Sequence, residues 1–162
     1  MSHDSDVADG SAATDRGSMY IGKHDDERGL AIWRFVGSVT PQEWQQHIAD
    51  IDRVARWQLP DRPSVILEII GFTPNAAQRA EIAQHTATPK YRPYLAFVST
   101  NALLRGALQA IAWMQTKKHY EEAFFSNTDA AIRWLEERRG SPLEALLTLR
   151  AAVDRAARSA SL

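Results

Sequence analysis

A single α/β domain with a mixed, mostly parallel sheet is predicted by three observations. The run Ser64-Val65-Ile66-Leu67-Glu68-Ile69-Ile70 has strand length and strand composition, and it ends at Gly71. Further apolar runs of the same kind alternate along the chain with segments of helical periodicity, the order expected of strands joined by helical crossovers. Most helical segments are preceded by Ser, Thr or Asn, often with proline next, the residues that satisfy and begin a helix N-terminus. Together these give ββαβαβαβα with an extra C-terminal helix.

The elements follow in order. Residues 19–24 and 30–36 flank Asp25-Asp26-Glu27-Arg28-Gly29, a polar stretch ending in glycine that suits a hairpin. The second strand alternates, placing Leu30, Ile32, Arg34 and Val36 on one face and Ala31, Trp33 and Phe35 on the other; with both faces mostly apolar it reads as central. Thr40-Pro41-Gln42-Glu43 has the form of a capping box with proline at N1, and Trp44, Ile48, Ile51 and Ala55 form one helical stripe. The prolines of Leu59-Pro60-Asp61-Arg62-Pro63 end that helix. After strand 64–70, Thr73 stands as N-cap and Pro74 as N1 of a helix whose Ala76, Ala77, Ala80 and Ala83 would allow close approach to the sheet. A loop over 86–93 leads to a buried strand at 94–98. Ser99-Thr100-Asn101 supplies cap residues for a helix containing Leu103, Leu104, Leu108, Ile111 and Met114. A last strand at 120–125 precedes the Ser126-Asn127-Thr128-Asp129 cap and a helix closed by Gly140. Ser141-Pro142-Leu143-Glu144 reads as a second capping box opening the C-terminal helix.

In domain terms, residues 1–18 form a tail, 19–139 the domain and 140–162 an amphipathic C-terminal helix. The tail carries Asp4, Asp6, Asp9 and Asp15 against Arg16 alone, with Val7 its single large apolar residue between Met1 and Met19, and is expected to be disordered. The leucines of the C-terminal helix fit packing against the domain; a homodimer contact is the alternative.

Composition narrows the chemistry. The 162-residue chain is 44% hydrophobic, enough for one core, and has no cysteine, which excludes disulfides, thiolate metal sites and thiol nucleophiles. Nineteen basic residues offset twenty acidic ones, so nucleic acid is not an expected partner. No apolar run reaches membrane-spanning length and residues 1–18 lack a signal-peptide pattern; a cytoplasmic protein is expected.

If the strands are parallel, three strand-to-helix junctions converge: Gly71-Phe72-Thr73-Pro74, Ser99-Thr100-Asn101 and Ser126-Asn127-Thr128. They would bring hydroxyls, amides and free N–H groups to one sheet edge, although helix capping alone also accounts for these residue types. No junction has the glycine spacing of a dinucleotide or phosphate loop, so no cofactor is expected. Of the five histidines, none has a second ligand at helical spacing; His47 reads as a boundary residue of its helix, and His24 beside Asp25 and Asp26 as part of an exposed turn. The nucleophile motif G-x-S-x-G is absent, and Glu121 and Glu122, adjacent in a strand, face opposite ways and cannot share a site. A non-enzyme is expected. Five tryptophans are explained by core packing or by a cavity between helices and sheet that takes an apolar ligand.

The run Pro93-Tyr94-Leu95-Ala96-Phe97-Val98 followed by a helix, then Phe124-Phe125 and Ala130-Ala131-Ile132-Arg133-Trp134-Leu135, resembles the STAS/SpoIIAA-like group of domains over residues 19–139. The resemblance implies a mostly non-catalytic protein. Some members of that group antagonise anti-sigma factors, others sit on anion transporters or sensors, and the wider fold includes lipid carriers. In the antagonists an Asp-Ser-Ser-Gly-like motif carries a serine phosphorylated by a kinase. The matching stretch here, Gly71-Phe72-Thr73-Pro74, lacks the Asp and the second serine and keeps the hydroxyl at Thr73. The sequence thus points to a bacterial regulatory or protein-interaction module with a protein partner, its partner or phosphorylation site at Thr73, Ser99, Thr100 and Asn101. A carrier or sensor of a small apolar or lipid-like ligand is the second expectation.

Overall fold

The computed structural model describes residues 18–114 and 118–162; the acidic tail expected over 1–18 falls, but for Ser18, outside them. Five strands form one sheet in the order β1 (Met19–Asp25), β2 (Leu30–Val36), β3 (Ser64–Ile70), β4 (Tyr94–Val98) and β5 (Glu121–Phe125). β1 runs antiparallel to β2 through the hairpin, and the remaining neighbours are parallel. Every parallel step is bridged by a helix: α1 (Pro41–Arg56), α2 (Ala76–Thr86) and α3 (Ala102–Met114), followed after β5 by α4 (Thr128–Arg139) and α5 (Glu144–Ala160).

Strict alternation along β2 and β3 divides the core into two layers. Trp33, Phe35, Val65, Leu67 and Ile69 pack with Trp44, Ile48, Ile51 and Val54 of α1 on the first face. Leu30, Ile32, Ile66, Ala96 and Val98 pack with Ala131, Ile132 and Leu135 of α4 and Leu146 and Val153 of α5 on the second. The C-terminal helix therefore closes the second face of the domain. It is also tied there by charge: Arg34 of β2 bonds Glu68 of β3 at 3.1 Å and Asp154 of α5 at 2.8 Å. Burial raises the Glu68 carboxyl's pKa, against the opposing pull of Arg34.

Three local expectations are corrected. The N-cap of α2 is Asn75, not Thr73: the Asn75 side chain accepts from the Gln78 N–H and the Gln78 side chain accepts from the Asn75 N–H, a complete box. The reason lies at Phe72. Gly71, at φ +65°, turns the chain so that Phe72 folds back and stacks on Phe35 at 4.5 Å, and two more residues are needed before the helix can begin. Second, Ala76, Ala77, Ala80 and Ala83 are exposed rather than pressed on the sheet. α2 leans on α1 instead, through Glu81 accepting from Trp44 Nε1 and Gln45, and His85 against Asp52. Third, Ser141 does not cap α5, which starts at Glu144 without a side-chain cap bond. The Ser141 N–H joins that of Gly140 (φ +71°) on the Glu136 carbonyl, so Ser141 finishes α4, and Leu143 and Leu146 bury where a capping box would start.

The reassigned cap is directly testable. Asn75→Ala should cost about 1 kcal/mol in denaturant unfolding, whereas Thr73→Ala should stay within about 0.5 kcal/mol of the parent.

Candidate functional site

Because β3, β4 and β5 are parallel neighbours, the chain leaves all three at the same edge of the sheet. The loops after β3, β4 and β5 converge there, bringing Thr73, Thr100 and Asn101 to one side of the molecule, all exposed. Asn101 is a helix cap: its Oδ1 accepts from the Leu103 and Leu104 N–H groups. Asn127 caps α4 in the same way through Ala130. Ser99 is buried, its hydroxyl accepting from the Asn101 N–H and its carbonyl from Arg105, so it shapes the loop rather than facing a partner. What the sequence reading did not register at this edge is apolar exposure. Ile70, the last residue of β3, is 52% exposed, and Leu103, in the first turn of α3, is 86% exposed.

Beneath the first-face helices lies a cavity of about 90 Å³. Phe35, Trp44, Leu67, Phe72, Phe97 and Leu108 supply most of its wall. Among the described residues, α1 is seated along β1 and β2, α2 brings Arg79 and Ile82 to the wall, and α3 brings Leu108 and Ala112. Arg79 and Glu122 stand at the cavity too, the first donating to the Pro74 carbonyl at 2.8 Å and the second held by Lys118. Glu121 points to the other face and pairs with Arg138 of α4, as strand alternation requires.

A buried polar network lies between α1 and the hairpin. The Tyr20 hydroxyl donates to Asp50 Oδ2 at 2.7 Å and contacts His47 Nδ1 at 3.2 Å. Gln46 donates to Asp50 Oδ1 at 3.0 Å, and Trp33 Nε1 donates to His24 Nε2 at 3.1 Å. Asp50 sits so close to β1 that a Cβ at Gly22 would come within 2.3 Å of its Oδ2, which is why glycine occupies that strand position. Two expectations fail here. His47 is not a boundary residue but 2% exposed, and His24 lies within β1 with its ring turned inward, because the strand continues to Asp25 and alternation sends position 24 toward α1. The signal lay in the helical spacing: His47 follows Trp44 by three on the apolar stripe, and Asp50, three further on, shares it.

Burial lowers the pKa of His47 to about 3, and lowers that of His24 against the attraction of Asp50. Both rings are therefore neutral at pH 7. Burial, reinforced by Asp50, drives the Tyr20 pKa far up, so its hydroxyl stays protonated. Among the described residues no group of three or more His, Asp or Glu is arranged to hold a metal ion, and no helix is long and apolar enough to cross a membrane.

Comparison with known proteins shows the fold. A crystal structure of an uncharacterised protein from the DUF3478 family, with a SpoIIAA-like fold, from Shewanella loihica PV-4, superposes with a TM-score of 0.52 at 15% identity. The match covers 74% of this chain and 94% of that one. No family model matches the sequence, and no curated protein matches it. The chain thus has a single-sheet α/β architecture of SpoIIAA-like type.

The neutral histidines set a pH dependence with a definite sign. An unfolded histidine takes up its proton near pH 6.5 and folded His47 only near 3. Between those values the unfolded chain binds more protons, so stability is full above 6.5 and is lost as pH falls. From pH 6.5 to 5 the loss from His47 should be about 1.6 kcal/mol. Urea unfolding of the parent and His47→Gln at both pH values should show the variant's loss smaller by that amount.

Proposed function

We propose that the protein is a non-enzymatic regulatory module that acts by binding another protein at the edge formed by the loops after β3 and β4. The single observation that supports this most is the pair of exposed side chains there, Ile70 and Leu103, set among the uncharged polar residues Thr73, Thr100 and Asn101. Apolar anchors with a polar surround are the composition of a protein contact. The two carboxylates of β5 face opposite ways, which supports a binding role over a paired-carboxylate reaction. The SpoIIAA-like fold is in keeping with such a role.

A second reading, a carrier or sensor of a small apolar ligand, is favoured by the aromatic cavity behind the same edge. The two are compatible: Phe72 lines the cavity and lies next to Thr73 on the proposed contact loop. Thr73 is exposed and relieved of cap duty by Asn75, so a phosphoryl group there, adding about −1.5 to −2 charge, would alter the contact without breaking the helix start.

Two measurements test these readings. In affinity capture from the source cells, the parent should retain a partner that Ile70→Asp and Leu103→Asp each lose at unchanged melting temperature; retention by both variants counts against this edge. Mass spectrometry of the protein from its own cells should find phosphate on Thr73 and, under native conditions, a co-purified ligand. Consistent absence of the phosphate across growth conditions removes the modification.

A further inference from the structure

The helices differ in how their positive ends are balanced. α1, α4 and α5 each carry an acid in the first turn, Glu43, Asp129 and Glu144, which suits the helix dipole. α2 and α3 carry none. Each has an arginine there instead, Arg79 or Arg105, adding like charge to a positive end. Both fold back over the loops after β3 and β4, Arg79 donating to the Pro74 carbonyl and Arg105 to the Ser99 carbonyl. Among the described residues neither has a carboxylate partner. The acids on this side are committed elsewhere: Glu43 accepts from the Tyr20 and Thr40 N–H groups, Glu81 from Trp44 and Gln45, and Glu122 and Asp129 pair with Lys118 and Arg150. The edge that exposes Ile70 and Leu103 is therefore cationic.

The chain enters the sheet at this same edge. Met19 pairs with Val36 and Val36 with Ile70, so the start of β1 lies two strands from the end of β3, about 10 Å away. Between them, the Gly37 N–H donates to the Ile70 carbonyl at 2.8 Å, and a Cβ on Gly37 would lie 2.8 Å from the Ser18 hydroxyl oxygen. The residues before Ser18 include Asp4-Ser5-Asp6-Val7-Ala8-Asp9, three carboxylates around one valine and no base. Asp15, by contrast, has Arg16 beside it. From Ser18 the chain can extend roughly 30 Å by Asp9, and β4 lies only about 14 Å from β1.

We infer that residues 4–9 of this chain occupy the edge formed by the loops after β3 and β4, their aspartates against Arg79 and Arg105 and Val7 against Ile70 and Leu103. Charge and apolar content match on the two sides, and the tether brings them together at an effective concentration on the order of millimolar. Resting on the reading of that edge as the partner surface, the segment is a built-in competitor that a partner must displace.

The test uses the full chain. With no cysteine present, Ser11→Cys gives a single attachment point for a nitroxide, and amide NMR intensities report the residues it approaches. At about 0.01 M salt, where charges act over about 30 Å, amides of residues 72–79 and 101–105 should lose intensity. The loss should be reversed at about 1 M salt, where that range is about 3 Å. At low salt it should also be reversed by Asp4→Asn, Asp6→Asn and Asp9→Asn together, and by Arg79→Gln with Arg105→Gln. Loss that neither salt nor the aspartate variant changes reports tethering alone and overturns the inference, as does loss confined to residues 19–22 and 35–38. Loss in nitroxide-free chains mixed with nitroxide-bearing ones overturns the contact within one chain. No partner enters these measurements, so a negative result leaves the edge as a partner surface to the capture experiment with Ile70→Asp and Leu103→Asp. The aspartate variant decides the matter even if the arginine variant does not fold.

Discussion

The constraint on which the rest of the structure depends is the two-sided burial of β2 and β3. Leu30, Ala31, Ile32, Val65 and Ile66 are wholly buried and Trp33 is 1% exposed, so neither face of the central sheet can meet water. Strands of that kind need helices on both sides, and parallel neighbours need a crossover in any case. The right-handed crossover meets both demands. Since each strand then ends at the same edge, the loops that carry Thr73, Thr100, Asn101 and Asn127 are brought together there.

Polar groups on each face tie particular helices to the sheet. On the second face Arg34, Glu68 and Asp154 join β2 and β3 to α5. On the first, Tyr20, Asp50 and His47 join the hairpin to α1, while the Glu43 side chain both closes the α1 cap and accepts from the Tyr20 N–H. Groups of this kind are expensive to leave unpaired, so once formed they hold their elements in one register. Among the described residues, α2 and α3 make no such bond to the sheet; α2 reaches α1 by the polar contacts of Glu81 and His85, and Leu104 and Leu108 of α3 pack on the first-face core. The cavity opens under these two. The same imidazole that helps fasten α1 also forms part of its wall.

Legibility in the sequence varied with how local the cause was. The alternation of β2, the Thr40 box with Glu43, and the capping amides of Asn101 and Asn127 were read correctly, because each is satisfied by groups within four residues. Thr73 and Ser141 have equally good local credentials and cap nothing. At the first, Phe72 is drawn into the core by Phe35, a residue of another strand; at the second, Ser141 is taken by the end of the preceding helix. His24 and His47 looked peripheral for a similar reason: a polar side chain was taken as a sign of solvent, when Trp33, Tyr20 and Asp50 were waiting with partners. The exposed Leu103 escaped notice because an apolar residue at a helix start reads as core until the neighbouring element is known.

By itself the sequence determined the element order, the mixed mostly parallel sheet, the division of β2 into two faces and the convergence of the strand ends. These follow from period, turn residues and caps, whose energetics are decided over short stretches of chain. Tertiary structure alone decided where helices α2 and α5 start, which histidines are buried and neutral, and that a cavity stands between α3 and the sheet. Those depend on side chains far apart in sequence competing for the same space and the same hydrogen bonds, a competition that is settled only when both faces close at once.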